Sequence, residues 1–385
     1  MTAAPRGVAA LNVPLVGHAG SRRRLETPAA VLDLDIFEHN LAMMAQTCRQ
    51  AGIALRPHAK SHKCAEIGRR QMASGALGIC CAKPGELLAL FEGGIIDLML
   101  SAPVASTVKI DLLARAAAAG ARISVVVDRP DLVAAYAEAA HRHRTCFDVL
   151  IDLDTGLNRS GVAKAHEAVD LARQVTQQAS LRYVGVQAYQ GRVQHIDDFA
   201  ARRAANADAN RTLVGLIAAL RQASLAPGIV SGGGTGSHLL DAQAGLLTEV
   251  QPGSYVFMDE AYNSVDIHGR GGPEFGPALR IAVTVVGHSA TGFAIVDGGS
   301  KSFALDGPAP RVFLGQDDVG KVEWCGDEFG RILPSPGHAV LPIGTVVEST
   351  APHCDPTINL HDFLHVVAGD RLVALWPVEA RGRAD

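Results

Sequence analysis

The sequence predicts an α/β protein, a closed (β/α)8 barrel followed by a smaller β-rich domain. Short apolar runs alternate with amphipathic stretches from about residue 29 to 258. A Gly/Pro-rich segment then interrupts the alternation, and long helical periods do not return after it. In order, the runs are Ala30-Val31-Leu32, Ile53-Ala54-Leu55, Gly78-Ile79-Cys80-Cys81, Leu98-Met99-Leu100, Ile123-Ser124-Val125-Val126-Val127, Val149-Leu150-Ile151, Val184-Gly185-Val186 and Gly228-Ile229-Val230. Between them, residues 35–51, 108–120, 130–142, 163–178 and 197–223 place apolar side chains at three-and-four spacing, as helices covering a sheet do. Repeated strand-then-helix units imply parallel strands. Around eight units in roughly 230 residues suit a barrel, and no GxGxxG follows the first run as an open dinucleotide-binding sheet would require.

The interruption is His268-Gly269-Arg270-Gly271-Gly272-Pro273, continuing to Gly276-Pro277. It divides the chain into an expected barrel over residues 27–275 and a β-rich domain over 276–385, the latter including part of 1–26. Residues 279–286, 293–296 and 344–348 read as strands, and 364–375 as a hairpin turning at Gly369-Asp370. A formal charge of −4 over 385 residues provides no basic field for nucleic acid or anionic lipid. The seven cysteines are odd in number and form no CxxC pair, which suits a reducing compartment. No apolar run approaches the roughly 20 residues of a membrane-spanning helix. Residues 1–26 carry one early arginine and then Arg22-Arg23-Arg24, an order unlike a secretory leader, so a cytoplasmic protein is expected.

Barrel active sites are built from the loops that follow the strands, which gives several unusual residues a place. Arg56-Pro57-His58-Ala59-Lys60-Ser61-His62-Lys63 follows the Ile53 run. A lysine there, beside other cations, is expected to have its ammonium form disfavoured and so to become a reactive amine; the same residues also read as a solvated basic loop. The run Ser231-Gly232-Gly233-Gly234-Thr235-Gly236-Ser237 offers close backbone approach and several amides to a phosphate, or is simply a turn. Gln251-Pro252-Gly253-Ser254-Tyr255 is a second loop of that kind. Arg159 is either a surface charge near Asp152 and Asp154 or a donor to a pyridine nitrogen, which would leave that ring a weak electron sink because guanidinium keeps its proton. In an extended segment His353 and Asp355 would share a face while Cys354 points away. That imidazole and carboxylate suit a divalent cation, or form only a hydrogen-bonded turn.

Together these residues resemble the D-threonine aldolase family, metal-activated pyridoxal-phosphate enzymes of the alanine-racemase-like fold. The resemblance runs from about residue 27 to 382. It rests on Arg-Pro-His-Ala-Lys at 56–60, Gly-Ile-Cys-Cys at 78–81, Gln-Ala-Tyr at 187–189, Val-Gln-His at 193–195, Gly-Gly-Gly-Thr-Gly-Ser at 232–237, Gly-Ser-Tyr-Val-Phe-Met-Asp at 253–259, His-Cys-Asp-Pro-Thr at 353–357 with Asn359, and Ala-Arg-Gly at 380–382. It implies that Lys60 binds pyridoxal 5'-phosphate covalently and that Arg159 partners the pyridine nitrogen. Tyr189, Gly233, Gly234, Thr235, Gly236, Ser237, Gly253, Ser254 and Tyr255 would surround the cofactor. His353 and Asp355 would hold a divalent metal, Mn2+ or Mg2+ foremost, and His195 would be the base for a β-hydroxyl group. His361 and Asp362 either support the metal pair or lie at the surface.

Related D-serine and 3-hydroxyaspartate dehydratases place a cysteine two residues after the metal-binding histidine. Asp355 stands there in this chain, which favours the aldolase. The implied activity is cleavage of D-β-hydroxy-α-amino acids, of D-threonine or D-allo-threonine type, to glycine and an aldehyde by a homodimer. D-3-hydroxyaspartate cleavage, a dehydratase and a non-catalytic cofactor carrier are the alternatives. Ala82-Lys83-Pro84-Gly85, Ser101-Ala102-Pro103-Val104 and Phe329 depart from the family pattern and bear on specificity. Arg192, three residues before His195, is a candidate reader of a distal substrate carboxylate, or an exposed charge.

Overall fold

The structure, a computed structural model, describes residues 4–271 and 274–385. Gly272 and Pro273 of the interrupting segment lie outside the described residues. The first apolar run forms β1 (Ala29–Asp33), which does not join the barrel. The parallel sheet consists of β2 (Ala54–Leu55), β3 (Ile79–Cys81), β4 (Asp97–Leu100), β5 (Arg122–Val127), β6 (Phe147–Asp152), β7 (Leu181–Ala188), β8 (Ile229–Gly232) and β9 (Glu249–Val250), in the order β2-β9-β8-β7-β6-β5-β4-β3. Its ends meet, because Leu77 N donates to Leu55 O at 2.9 Å and Cys80 N to Pro57 O at 2.7 Å, with a parallel bridge between His58 and Cys80. The expected number of strands is therefore present with a different membership: Glu249–Val250 enters where Ala30–Leu32 was expected.

Alternation explains why the strands read as unbroken apolar runs. Cys80, Met99, Val126 and Leu150 point inward and pack together in the barrel lumen with Val184 and Ile229. Their neighbours Ile79, Cys81, Leu98, Leu100, Val125, Val127, Val149 and Ile151 point outward beneath the helices. Both faces are dry, so both faces are apolar. The helices fall near their expected bounds, for example Pro130–His143 and Phe199–Gln222. Leu34–Ala51 shows the start and stop chemistry: the Asp33 side chain accepts from Ile36 N, and Gly52 ends the helix at φ 66°.

The remaining strands are β10 (Leu279–His288), β11 (Ala294–Val296), β12 (Arg311–Leu314), β13 (Asp317–Trp324), β14 (Gly330–Pro334), β15 (Val346–Thr350), β16 (Phe363–Ala368) and β17 (Arg371–Pro377). They form one sheet ordered β11-β14-β13-β12-β15-β10-β1-β16-β17, and a further β10–β11 pairing curls six of them closed. β1 runs antiparallel to β10 and parallel to β16. A strand from early in the chain thus completes the later sheet. The N-terminal segment follows it there, with Arg22 bridging Asp33 at 2.8 Å and Glu348 at 2.6 Å. The hairpin across Gly369-Asp370 forms as expected, whereas β12, β13 and β14 had no clear sequence signal. A shared core joins the two sheets through Phe37, Leu41, Val256, Phe257, Leu279 and Ile281.

Candidate active site

The Arg56–Lys63 segment is not a solvated basic loop. Arg56 is buried and bonds Glu249 at 3.0 Å and Asp97 at 2.6 Å, tying β2 to β9 and β4. Lys63 is buried against the fully buried Glu86 at 3.3 Å. His58 donates through Nε2 to Ser101 Oγ at 3.0 Å, since that hydroxyl gives its own hydrogen to Cys81 O. Its Nδ1 accepts from Lys60 N at 3.2 Å. Burial, then the neighbouring Lys60 charge, holds this imidazole neutral, with its pKa lowered to about 3.

Lys60 follows directly, in a short turn that aims its side chain at a cavity of about 360 Å³. His58, Ser101, Arg159, Gln187, Tyr189 and Gln251 line the same cavity, together with Ala82, Lys83 and Ala102. The Lys60 side chain is 43 % exposed there, so its amine is reachable. Its charge state differs from the sequence expectation. Burial disfavours the ammonium, but the Asp355 carboxylate, hydrogen-bonded to Nζ, more than offsets that and raises the pKa above the ordinary lysine value. The decisive neighbour lies almost three hundred residues away. Arg159 has no ion pair among the described residues and lies over the Tyr189 ring at 5.6 Å.

The two glycine-bearing loops come together, because Tyr255 N donates to Thr235 Oγ1 at 3.2 Å. Gly233 adopts φ 67°, a left-handed backbone that disfavours side chains. At Gly236 a Cβ would run into the Gln194 carbonyl, and at Gly253 it would meet Ser61 Oγ at 3.1 Å and His58 O at 3.2 Å. Within this cradle the amides of Thr235, Gly253 and Ser254 have no hydrogen-bond partner among the described residues. Two expectations change. Ser237 Oγ donates to Asp241 at 2.6 Å and accepts from Gln194 at 2.8 Å, so it braces the loop. The Tyr255 hydroxyl turns into the core to meet Gln71 at 3.2 Å, leaving only its backbone at the cradle.

His353 and Asp355 are not on an extended segment. Cys354–Ile358 is a helical turn with His353 at its N-cap, and Cys354 is buried. His353 Nδ1 meets Asp306 Oδ2 at 2.8 Å, while Asp355 takes the Lys60 ammonium. Burial alone would raise the Asp355 carboxyl; Lys60 and then His353 reverse this and lower it. The His195 ring packs against Tyr262 at 4.6 Å, and partial burial followed by the charges of His353 and Lys60 pushes its pKa down, favouring a neutral imidazole. Among the described residues no group of three or more His, Cys, Asp and Glu is placed to hold a metal. The donor set still suits a hard or borderline ion completed by water or substrate, since Asp306 holds one imidazole nitrogen and leaves the other available. His361 instead bonds Ser302 O at 2.9 Å, Asp362 pairs with Arg381, and Arg192 is exposed.

Sequence reasoning did not name Asp306 or Tyr262, and it quoted Ser101, Gln251 and Asp259 only within longer segments, with no role of their own. An accessible amine and an arginine without an ion pair among the described residues at one cavity, with a glycine-lined cradle of free amides that abuts the Lys60 turn through Gly253, fit pyridoxal phosphate, an aldehyde with an anionic tail and a basic ring nitrogen.

The alanine racemase N-terminal domain family matches residues 32–261, and the putative serine dehydratase domain family matches residues 278–367. A 3-hydroxy-D-aspartate aldolase from Paracoccus denitrificans (strain Pd 1222) is 36 % identical over 363 residues, covering 93 % of each chain. A D-threonine aldolase from Arthrobacter sp. is 37 % identical over 359 residues, again 93 % of each. The crystal structure of D-threonine aldolase from Filomicrobium marinum superposes with a TM-score of 0.89 at 38 % identity, covering 94 % of this chain and 97 % of the other. On these matches, which span nearly its whole length, the chain belongs to the D-threonine aldolase family of pyridoxal-phosphate-dependent lyases, within the alanine-racemase-like fold.

Proposed function

We propose that this protein cleaves D-β-hydroxy-α-amino acids of the D-threonine type to glycine and an aldehyde, using pyridoxal phosphate and a divalent metal. The observation that carries the reading is the meeting of Lys60, on the cavity wall, with Asp355, close to His195 and His353. Bound there, pyridoxal phosphate supplies an electron sink for the charge left on Cα when the Cα–Cβ bond breaks, and a divalent ion supplies Lewis acidity toward the β-oxygen.

The chain's own residues do the rest. Lys60 Nζ anchors the cofactor, and Arg159 donates to its ring nitrogen without protonating it. The amides of Thr235, Gly253 and Ser254 receive the phosphate, with Gly233, Gly234 and Gly236 giving the backbone room, Ser237 bracing the loop and Tyr189 walling the cavity. His353 and Asp355 hold the ion, with Asp306 orienting the imidazole. His195, held neutral, takes the β-hydroxyl proton. Mn2+ or Mg2+ suits this nitrogen and oxygen pair, and the unpaired state of all seven cysteines supports a cytoplasmic setting. We also infer a homodimer, which light scattering tests.

Cleavage of D-3-hydroxyaspartate to glycine and glyoxylate is the second reading. The equally similar 3-hydroxy-D-aspartate aldolase supports it, as does the exposed Lys83 on the cavity wall. Incubation with D-threonine, D-serine and D-3-hydroxyaspartate, with and without Mn2+, separates the readings by product. Glycine with acetaldehyde or glyoxylate marks an aldolase; pyruvate or oxaloacetate marks a dehydratase. Chelation is expected to abolish turnover while the cofactor absorbance remains, and full activity after exhaustive chelation overturns the metal requirement.

A further inference from the structure

Asp259 is fully buried at the point where the chain leaves the barrel, and neither of its oxygens is idle. Oδ1 accepts from Tyr262 N at 2.8 Å, starting the short helix Glu260–Asn263. Oδ2 accepts from Cys354 N at 2.7 Å, the first amide after His353 and the one before Asp355. Two backbone bonds run alongside, Glu260 N to Ala351 O at 3.0 Å and Ala261 N to Pro352 O at 3.1 Å. Tyr262 in turn carries the ring against which His195 packs at 4.6 Å. One carboxylate therefore grips both sides of the site.

We propose that Asp259 is a positioning residue that sets the distance between the His195 imidazole and the His353/Asp355 pair. It acts through Tyr262 on one side and Cys354 on the other, without touching substrate or cofactor. The inference rests on the reading of His353 and Asp355 as metal ligands. Its physical basis is that a carboxylate has two acceptor oxygens and no hydrogen to give, so it satisfies two amide donors from segments that approach from different parts of the chain. Residues behind metal ligands typically change metal affinity by about 10–100-fold when replaced. Asp259→Asn keeps one acceptor and turns an NH2 group toward a donor. Asp259→Ser retains an acceptor for Tyr262 N, since serine is a good N-cap, but is too short to serve Cys354 N as well.

The test is Mn2+ titration of the cofactor-loaded protein, following free Mn2+ by electron paramagnetic resonance, for wild type, His353→Ala, Asp259→Asn and Asp259→Ser. Cofactor absorbance and circular dichroism are recorded on the same samples. The expected result is at least ~10-fold weaker Mn2+ binding in both Asp259 variants, with cofactor affinity unchanged and kcat falling more than KM rises. Wild-type Mn2+ affinity in both folded variants overturns the proposal. Failure of both to yield folded, cofactor-loaded protein overturns it too, because Asp259 is then a folding residue. A wild type with no Mn2+ site, or one indifferent to His353→Ala, refutes the metal reading instead.

Discussion

Glu86→Gln probes how the reactive-lysine loop is held. Glu86 is fully buried, accepts from Ala82 N at 2.6 Å and pairs with Lys63 Nζ at 3.3 Å, while the Lys63 side chain is only 11 % exposed. Solvent therefore screens the pair poorly. Burial raises the Glu86 carboxyl, and Lys63 is the main group opposing that rise. Replacing the carboxylate with an amide keeps an acceptor for Ala82 N but leaves a buried ammonium without a counter-charge. Breaking one side of a buried pair costs about 3–5 kcal/mol, and the long Nζ–Oε1 separation places this case near 3. At about 2 °C of melting temperature per kcal/mol for a large domain, the expected drop is roughly 6 °C by calorimetry. Because Lys63 is three residues after Lys60 and its carbonyl holds Ala380 N at 3.0 Å, cofactor affinity should fall with stability. Glu86→Gln combined with Lys63→Met removes both charges and should recover most of the loss. An unchanged melting temperature in the single variant, or no recovery in the double one, refutes the reasoning.

Gly236→Ala drives a Cβ into the Gln194 carbonyl and should weaken cofactor binding more than ~10-fold in a fluorescence titration, whereas Gly215→Ala, in open space on the helix Phe199–Gln222, should stabilise the protein by about 0.5–1 kcal/mol. Lys60→Ala should lose the cofactor absorbance band that borohydride removes from the wild type; a persisting reducible band would place the attachment elsewhere. His365 donates from Nδ1 to Ala30 O and accepts at Nε2 from Asn12, an arrangement that only the neutral ring satisfies, and burial lowers its pKa to about 4. A depressed histidine stabilises the fold fully above its ordinary value near 6.5 and loses that contribution as pH falls toward 4, an effect of roughly 3 kcal/mol. Melting temperatures across that window should fall more steeply for the wild type than for His365→Gln; parallel curves exclude His365 as the cause.

What the sequence made legible was local chemistry. Lys60, the glycine loop and the His353/Asp355 spacing each declare themselves within a few residues, and continuous apolar runs mark strands buried on both faces. What it hid depends on partners distant along the chain. β1 reads like any barrel strand because its four apolar residues, Ala29 to Leu32, look alike in either sheet. β9 escapes because it is two residues long and half of it is Glu249, whose charge makes sense only against Arg56. The Lys60 amine looked destabilised as a cation until Asp355 was placed on it, and Tyr255 looked like a cofactor ligand until its hydroxyl met Gln71.

Three buried carboxylates share this property and together build the site. Glu249 holds Arg56, Glu86 holds Lys63, and Asp259 holds Cys354 N, each spanning segments that no helical or strand period connects. A buried carboxylate is costly unless its oxygens are satisfied, so each is retained only where it fastens something. Two of them fix the ends of the Arg56–Lys63 turn, and the third fixes the His353–Asp355 turn. The Lys60 amine and the Asp355 carboxylate therefore meet in a frame set by other acids, which fix the Arg56–Lys63 and His353–Asp355 turns through contacts that neither turn makes within itself.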